Sequence, residues 1–108
     1  MINIKADRKT YPVVIDDIVF IESLGDYTKV HLREKVLITN ENISSFEERL
    51  PASDFIRAHR SYLIALKHVN SFNAEAVDVG GKELPFGRVY KQVAQSRLKA
   101  MTNIPFDE

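Results

Sequence analysis

The chain contains no cysteine, which excludes a disulfide framework and any thiolate metal site. It has no long hydrophobic run. The longest, Tyr62-Leu63-Ile64-Ala65-Leu66, is five residues, far short of the roughly 20 apolar residues a helix needs to cross a bilayer. Met1-Ile2-Asn3-Ile4-Lys5 lacks the apolar core of a secretory signal. These absences fit a cytoplasmic protein with no membrane segment. Glycine is scarce, and the four present, Gly25, Gly80, Gly81 and Gly87, form no phosphate-cradling loop. The three histidines, His31, His59 and His68, have no metal-ligand spacing. His59 lies two residues from Ser61, but nothing nearby in sequence supplies an activated serine, and Asp16-Asp17 has no identifiable carboxylate partner. The expectation is therefore no enzyme, no metal and no cofactor.

The chain also lacks net charge, with fifteen basic and fifteen acidic residues. Taken whole, that argues against a nucleic-acid binder. The distribution says otherwise. Asp16 to Glu48 holds eight acids and three bases, whereas Arg49 to Phe106 holds nine bases and four acids. An asymmetry of this kind is what a polarised surface needs. No acid occurs from Phe55 to Ala74, a stretch that carries Arg57, His59, Arg60, Lys67 and His68. Its centre, His59-Arg60-Ser61-Tyr62, lies between two strand-like apolar runs and reads as a loop that meets an anion.

What remains is ordinary for one domain: 108 residues, 44% hydrophobic. Alternation predicts strands at Ile2–Ala6 and Tyr11–Ile15, with Asp7–Thr10 as a polar turn. Ile18–Ile21 is a continuous apolar run, expected as a central strand covered on both faces. Gly25 supplies a turn before Tyr27–Leu32, in which Thr28, Val30 and Leu32 share one face. A charged turn, Arg33-Glu34-Lys35, leads to Val36–Thr39. Ile43, Phe46 and Leu50 then mark one face of a two-turn helix, capped by Asn40 or Asn42, with Ser44 and Glu47 at capping-box spacing and Pro51 ending it. Strands follow at Phe55–Arg57, Tyr62–Leu66 and His68–Phe72. Ala76–Val79 and Lys82–Leu84 form a hairpin about Gly80-Gly81. A second helix runs from Arg88 to Met101 with Tyr90, Val93 or Ala94, Leu98 and Met101 on its apolar stripe. The expected architecture is mainly antiparallel β with one or two short peripheral helices, residues 1–101 forming one domain and 102–108 a frayed tail.

Two basic clusters carry the chemistry. Arginine suits bidentate contact with phosphate or a guanine edge, and the imidazole and hydroxyls beside Arg57 and Arg60 can donate to phosphate oxygens. Tyr62 fits the core better than the surface. In Gly87-Arg88-Val89-Tyr90-Lys91, Arg88 falls at or next to the start of a helix, where a cation opposes the helix dipole. Either it serves an anion held at that helix end, or the helix starts later. Gly25-Asp26-Tyr27-Thr28-Lys29 is a third segment, weak alone.

In order along the chain, Asp17-Ile18-Val19-Phe20-Ile21-Glu22-Ser23 with Gly25-Asp26-Tyr27, then Leu50-Pro51 with Phe55-Ile56-Arg57-Ala58-His59-Arg60-Ser61-Tyr62, then Leu84-Pro85-Phe86-Gly87-Arg88-Val89-Tyr90-Lys91, resemble the LytTR family of bacterial DNA-binding domains. The resemblance covers Ile2 to Leu98. It implies an elongated fold of about ten short strands whose loops, rather than a recognition helix, enter successive major grooves. It places base reading on Thr28 with Lys29, on Arg60 and on Arg88. His59, Ser61 and Lys91, with Lys29, would contact the DNA backbone. Two positions depart from the family's frequent pattern: Gly87, where serine is common, and Ala65, where asparagine is common. The implied function is sequence-specific double-stranded DNA binding in transcriptional regulation, as the output domain of a two-component response regulator in a phosphorelay. Implied partners are direct-repeat promoter sites, an upstream receiver domain not contained in these residues, and a second copy on DNA. The alternative is a β-rich protein-interaction module using a basic loop or a strand edge.

Overall fold

In the computed structural model, which describes residues 1–102, the alternation of the first residues becomes strand β1, Ile2–Ala6, with Ile2, Ile4 and Ala6 buried. It pairs antiparallel with β2, Lys9–Val13, through a two-residue turn. That turn is shorter than the expected Asp7–Thr10, because Asp7 and Arg8 both take positive φ, 55° and 64°. Such a turn matches the twist of a hairpin, but two non-glycine residues give no sequence signal for it. Ile15–Asp17 is a single 3-10 turn rather than the end of a strand.

Strand β3, Ile18–Ser23, is the middle of a five-stranded sheet. It pairs with β4, Thr28–Leu32, which pairs with β5, Val36–Thr39. On its other side lies β7, Tyr62–Ala65, and outside that β6, Phe55–His59. A register shift between Ile18 and Phe20 explains how Ile18 and Ile21, three apart, reach the same core while Phe20 reaches the opposite one. Both faces are covered, as the uninterrupted apolar run predicts.

One face packs under helix α1, Ile43–Arg49, and the first hairpin. Asn42 is the cap, its Oδ1 accepting the Ser45 N–H at 2.8 Å. Ile43, Phe46 and Leu50 are buried as the helical spacing requires. The other face packs against a three-stranded sheet of β8, Val69–Phe72, β9, Ala76–Val79, and β10, Lys82–Pro85. Gly80 and Gly81 take φ of 60° and 91° in the turn joining β9 to β10. At Gly80 a Cβ would stand 2.6 Å from Val19 Cγ1, so space as well as φ requires glycine. Helix α2, Lys91–Thr102, buries Ala94 and Leu98 in the same core, leaving Val93 exposed. It starts three residues later than expected and continues one residue into the expected tail. Residues 103–108 of that tail lie outside the described residues. The ten strands and two helices form an elongated body of 51 × 25 × 23 Å.

Candidate nucleic-acid interface

Strand pairing brings the three motif segments to one end of the five-stranded sheet. β3 leaves the sheet at Ser23 and the chain returns at Thr28 directly opposite. The turn between them is closed by Leu24 N–H donating to the Tyr27 carbonyl at 2.9 Å, with Gly25 at φ 84°. Beyond the pairing of Glu22 with Tyr62, Ser23 N–H donates to the Ser61 carbonyl at 2.8 Å. The Arg60-Ser61 turn therefore opens beside the Leu24–Tyr27 turn. On the far side of β6, Gly87 N–H donates to the Ala58 carbonyl at 2.8 Å. A Cβ at Gly87 would lie 3.1 Å from His59 Cα and 3.3 Å from the His59 and Tyr90 rings. The segment carrying Arg88 thus lies against the end of β6, and glycine lets it approach so closely.

The side chains divide into presented and held groups. Arg60 and Arg88 are exposed, and among the described residues neither guanidinium has an ion pair or hydrogen bond. In contrast Arg33, Arg49 and Arg57 pair with Asp17, Glu41 and Glu47, and Arg97 donates to the Ala52 and Ser53 carbonyls. Lys29 is partly buried, opposite Glu22. His59 Nδ1 accepts the Ser61 N–H at 3.0 Å. That hydrogen bond leaves Nε2 as the protonated nitrogen of the neutral ring and the donor available to a ligand. Tyr62 packs edge-on against Phe20, ring centroids 6.3 Å apart, as its core assignment requires.

Two of the candidate residues sit in settings that the sequence left open or did not weigh. Thr28 is only 2% exposed, because strand alternation turns it to the same side as buried Val30 and against buried Thr39. Lys29, on the opposite face, is the residue of that pair that remains at the surface. Arg88 is not in the first helical turn. It lies in the turn that Tyr90 N–H closes on the Gly87 carbonyl at 3.1 Å, and Lys91 is the first helical residue. The cation that opposes the helix dipole is therefore Lys91, and a lysine there suits an anion bound at the helix start.

Arg57, read from the sequence only as one cation of the basic cluster, and Tyr90, read only as part of a helical stripe, both belong to this end. Arg57 donates to the carbonyls of His59 and Arg60, and its guanidinium lies over the Tyr90 ring. The acid-free setting of Arg57 was a signal. The register shift between Arg57 and His59, which aims it at the turn, was not readable.

The family model described as the LytTr DNA-binding domain matches residues 8–101. The CO-responsive transcriptional regulator RcoM of Rhodospirillum rubrum is 32% identical over 78 residues, covering 66% of this chain and 33% of that protein. The transcriptional regulatory protein YpdB of Escherichia coli K12 is 32% identical over 68 residues, covering 63% of this chain and 28% of that protein. The chain spans about a third of the length of these relatives. A solved LytTr DNA-binding domain from Bacillus cereus shares the fold, with a TM-score of 0.77 at 21% identity over 90% of this chain and 94% of that one.

Proposed function

Since the chain belongs to the LytTr DNA-binding domain family, we propose that residues 1–101 bind double-stranded DNA sequence-specifically to regulate transcription, through side-by-side loops that enter successive grooves. The carrying observation is the alignment of the Leu24–Tyr27, Arg60-Ser61 and Gly87–Tyr90 segments at one end of the sheet, with Arg60 and Arg88 exposed and unpaired among the described residues. In this reading Arg60 and Arg88 contact base edges, where arginine is the side chain best matched to guanine. Lys29, His59, Ser61 and Lys91 hold the phosphates. Thr28 acts only by fixing the strand from which Lys29 projects.

The domain is non-catalytic and cytoplasmic in this proposal, the output end of a response regulator whose receiver domain precedes it. Direct repeats in promoters are its targets, occupied by two copies. RcoM and YpdB, named as transcriptional regulators, support a regulatory setting.

Selection of bound sequences from a random duplex pool, at two salt concentrations, tests the proposal. A recurring motif, repeated at fixed spacing, is expected. A pool that stays random would instead support a protein-interaction module, a reading favoured by one feature: Val36 and Ile38, 46% and 53% exposed, on the edge strand β5.

A further inference from the structure

The guanidinium of Arg57 sits where the two arginine-bearing turns meet. Its side chain is 12% exposed. Nε donates to the His59 carbonyl at 3.0 Å and Nη2 to the Arg60 carbonyl at 2.5 Å. Nη1 donates to Glu47 Oε1 at 2.6 Å, which ties the group to α1. Its Cζ lies 5.4 Å from the centroid of the Tyr90 ring, and Tyr90 closes the turn that holds Arg88. One planar group therefore grips the Arg60 turn by two backbone acceptors and the Arg88 turn by an aromatic face. Only arginine offers donors in that rigid fork; a lysine ammonium keeps the charge but cannot span all of these partners.

We infer that Arg57 is a specificity-determining positioning residue, which locks the Arg60 turn and the Arg88 turn into one rigid pair. This rests on the DNA-binding reading given above. Arginines on independently mobile turns would still attract phosphates, since that attraction is long-ranged. They would lose the fixed separation that lets both meet base edges at once, because bidentate base contacts demand defined geometry. Arg57 thus governs base preference at two places in the site while contributing little to affinity for DNA in general.

The test uses the Arg57→Lys variant, checked for folding by circular dichroism, beside Arg60→Ala and Arg88→Ala. Each is put through duplex selection and titrated on the selected and a scrambled duplex over a range of salt. Arg57→Lys is expected to loosen base preference at both the positions loosened by Arg60→Ala and those loosened by Arg88→Ala. The ratio of specific to non-specific affinity should fall roughly tenfold, the scale of one charge-assisted hydrogen bond. Affinity for the scrambled duplex and the salt slope should stay parental. A variant that was merely less stable would lose affinity for both duplexes in proportion. Such an equal loss, which a phosphate contact would also give, overturns the proposal. So does a parental motif, or loosening at the Arg60 positions alone. If Arg57→Lys fails to fold, Tyr90→Leu decides: it keeps the carbonyl contacts and should loosen only the Arg88 positions, and no change there overturns the coupling. A parent protein that selects no motif would sink the DNA reading itself, whatever Arg57 does.

Discussion

Removing the two presented guanidinium groups is the most direct perturbation of the proposed interface. Arg60 and Arg88 are exposed and, among the described residues, bound to no protein group. Truncating either to alanine should therefore leave folding stability within about 0.5 kcal/mol of the parent, the usual range for surface positions without a structural role. A bidentate arginine–base contact carries about 1–3 kcal/mol of discrimination, which is roughly 5- to 150-fold in affinity for the selected site. On a scrambled duplex each variant should lose only the electrostatic share of one cation, so the ratio of the two affinities falls. Fluorescence anisotropy on both duplexes over a salt series, with urea denaturation of each variant, provides every quantity. An equal loss on both duplexes would assign the arginine to the phosphate backbone. No loss on either would remove it from the interface, and a large drop in stability would give it a role in the fold.

Lys91→Ala should weaken binding to every duplex alike and flatten the salt dependence by about one unit in log–log slope; an unchanged slope would show that Lys91 meets no phosphate. Thr28→Val should leave the selected motif as it is, because the side chain is 2% exposed and faces inward; a changed base preference would place Thr28 at the DNA after all. Phe46→Ala should cost about 3–5 kcal/mol in urea denaturation, since the ring is fully buried beneath a helix too short to persist alone. A loss under about 1 kcal/mol would mean that α1 is held by something other than that ring.

Most of the strands were legible because their side chains obey a period of two, and α1 because Ile43, Phe46 and Leu50 obey the helical one. The Gly80-Gly81 turn was legible because both positions need positive φ. The Asp7-Arg8 turn was hidden, since the same backbone is adopted there by residues that do not advertise it. The start of α2 was misplaced because Tyr90 fits the helical stripe while its N–H closes a turn on Gly87. At Thr28 two signals point different ways. Its strand face was readable and set it beside Val30, but the family pattern made it a base reader; the structure follows the alternation. The brace at Arg57 lay beyond reach, because it depends on a local register shift and on a ring thirty-three residues away in sequence.

Zero net charge ceases to oppose a DNA interface once the acids are located. Asp17 is 3.6 Å from Arg33, and Asp16 is 3.0 Å from Lys67. The hydrogen bond and charge of Lys67 hold the Asp16 carboxyl below its ordinary range. Both acids precede β3, and that six-residue strand separates them from the Leu24–Tyr27 turn. At a rise of about 3.3 Å per residue the separation is about 20 Å, more than twice the screening length of about 8 Å at physiological salt. Glu47 is engaged by Arg57 and Glu22 by His31. The loop end thus carries Lys29, Arg60, Arg88 and Lys91, with Asp26 as the acid in the adjoining turn. The local surplus at that end, rather than the sum over the chain, sets the field that DNA meets. The charge asymmetry along the sequence is a partial image of it, blurred because Lys29 belongs to the acidic half and Lys67 is occupied at the opposite end.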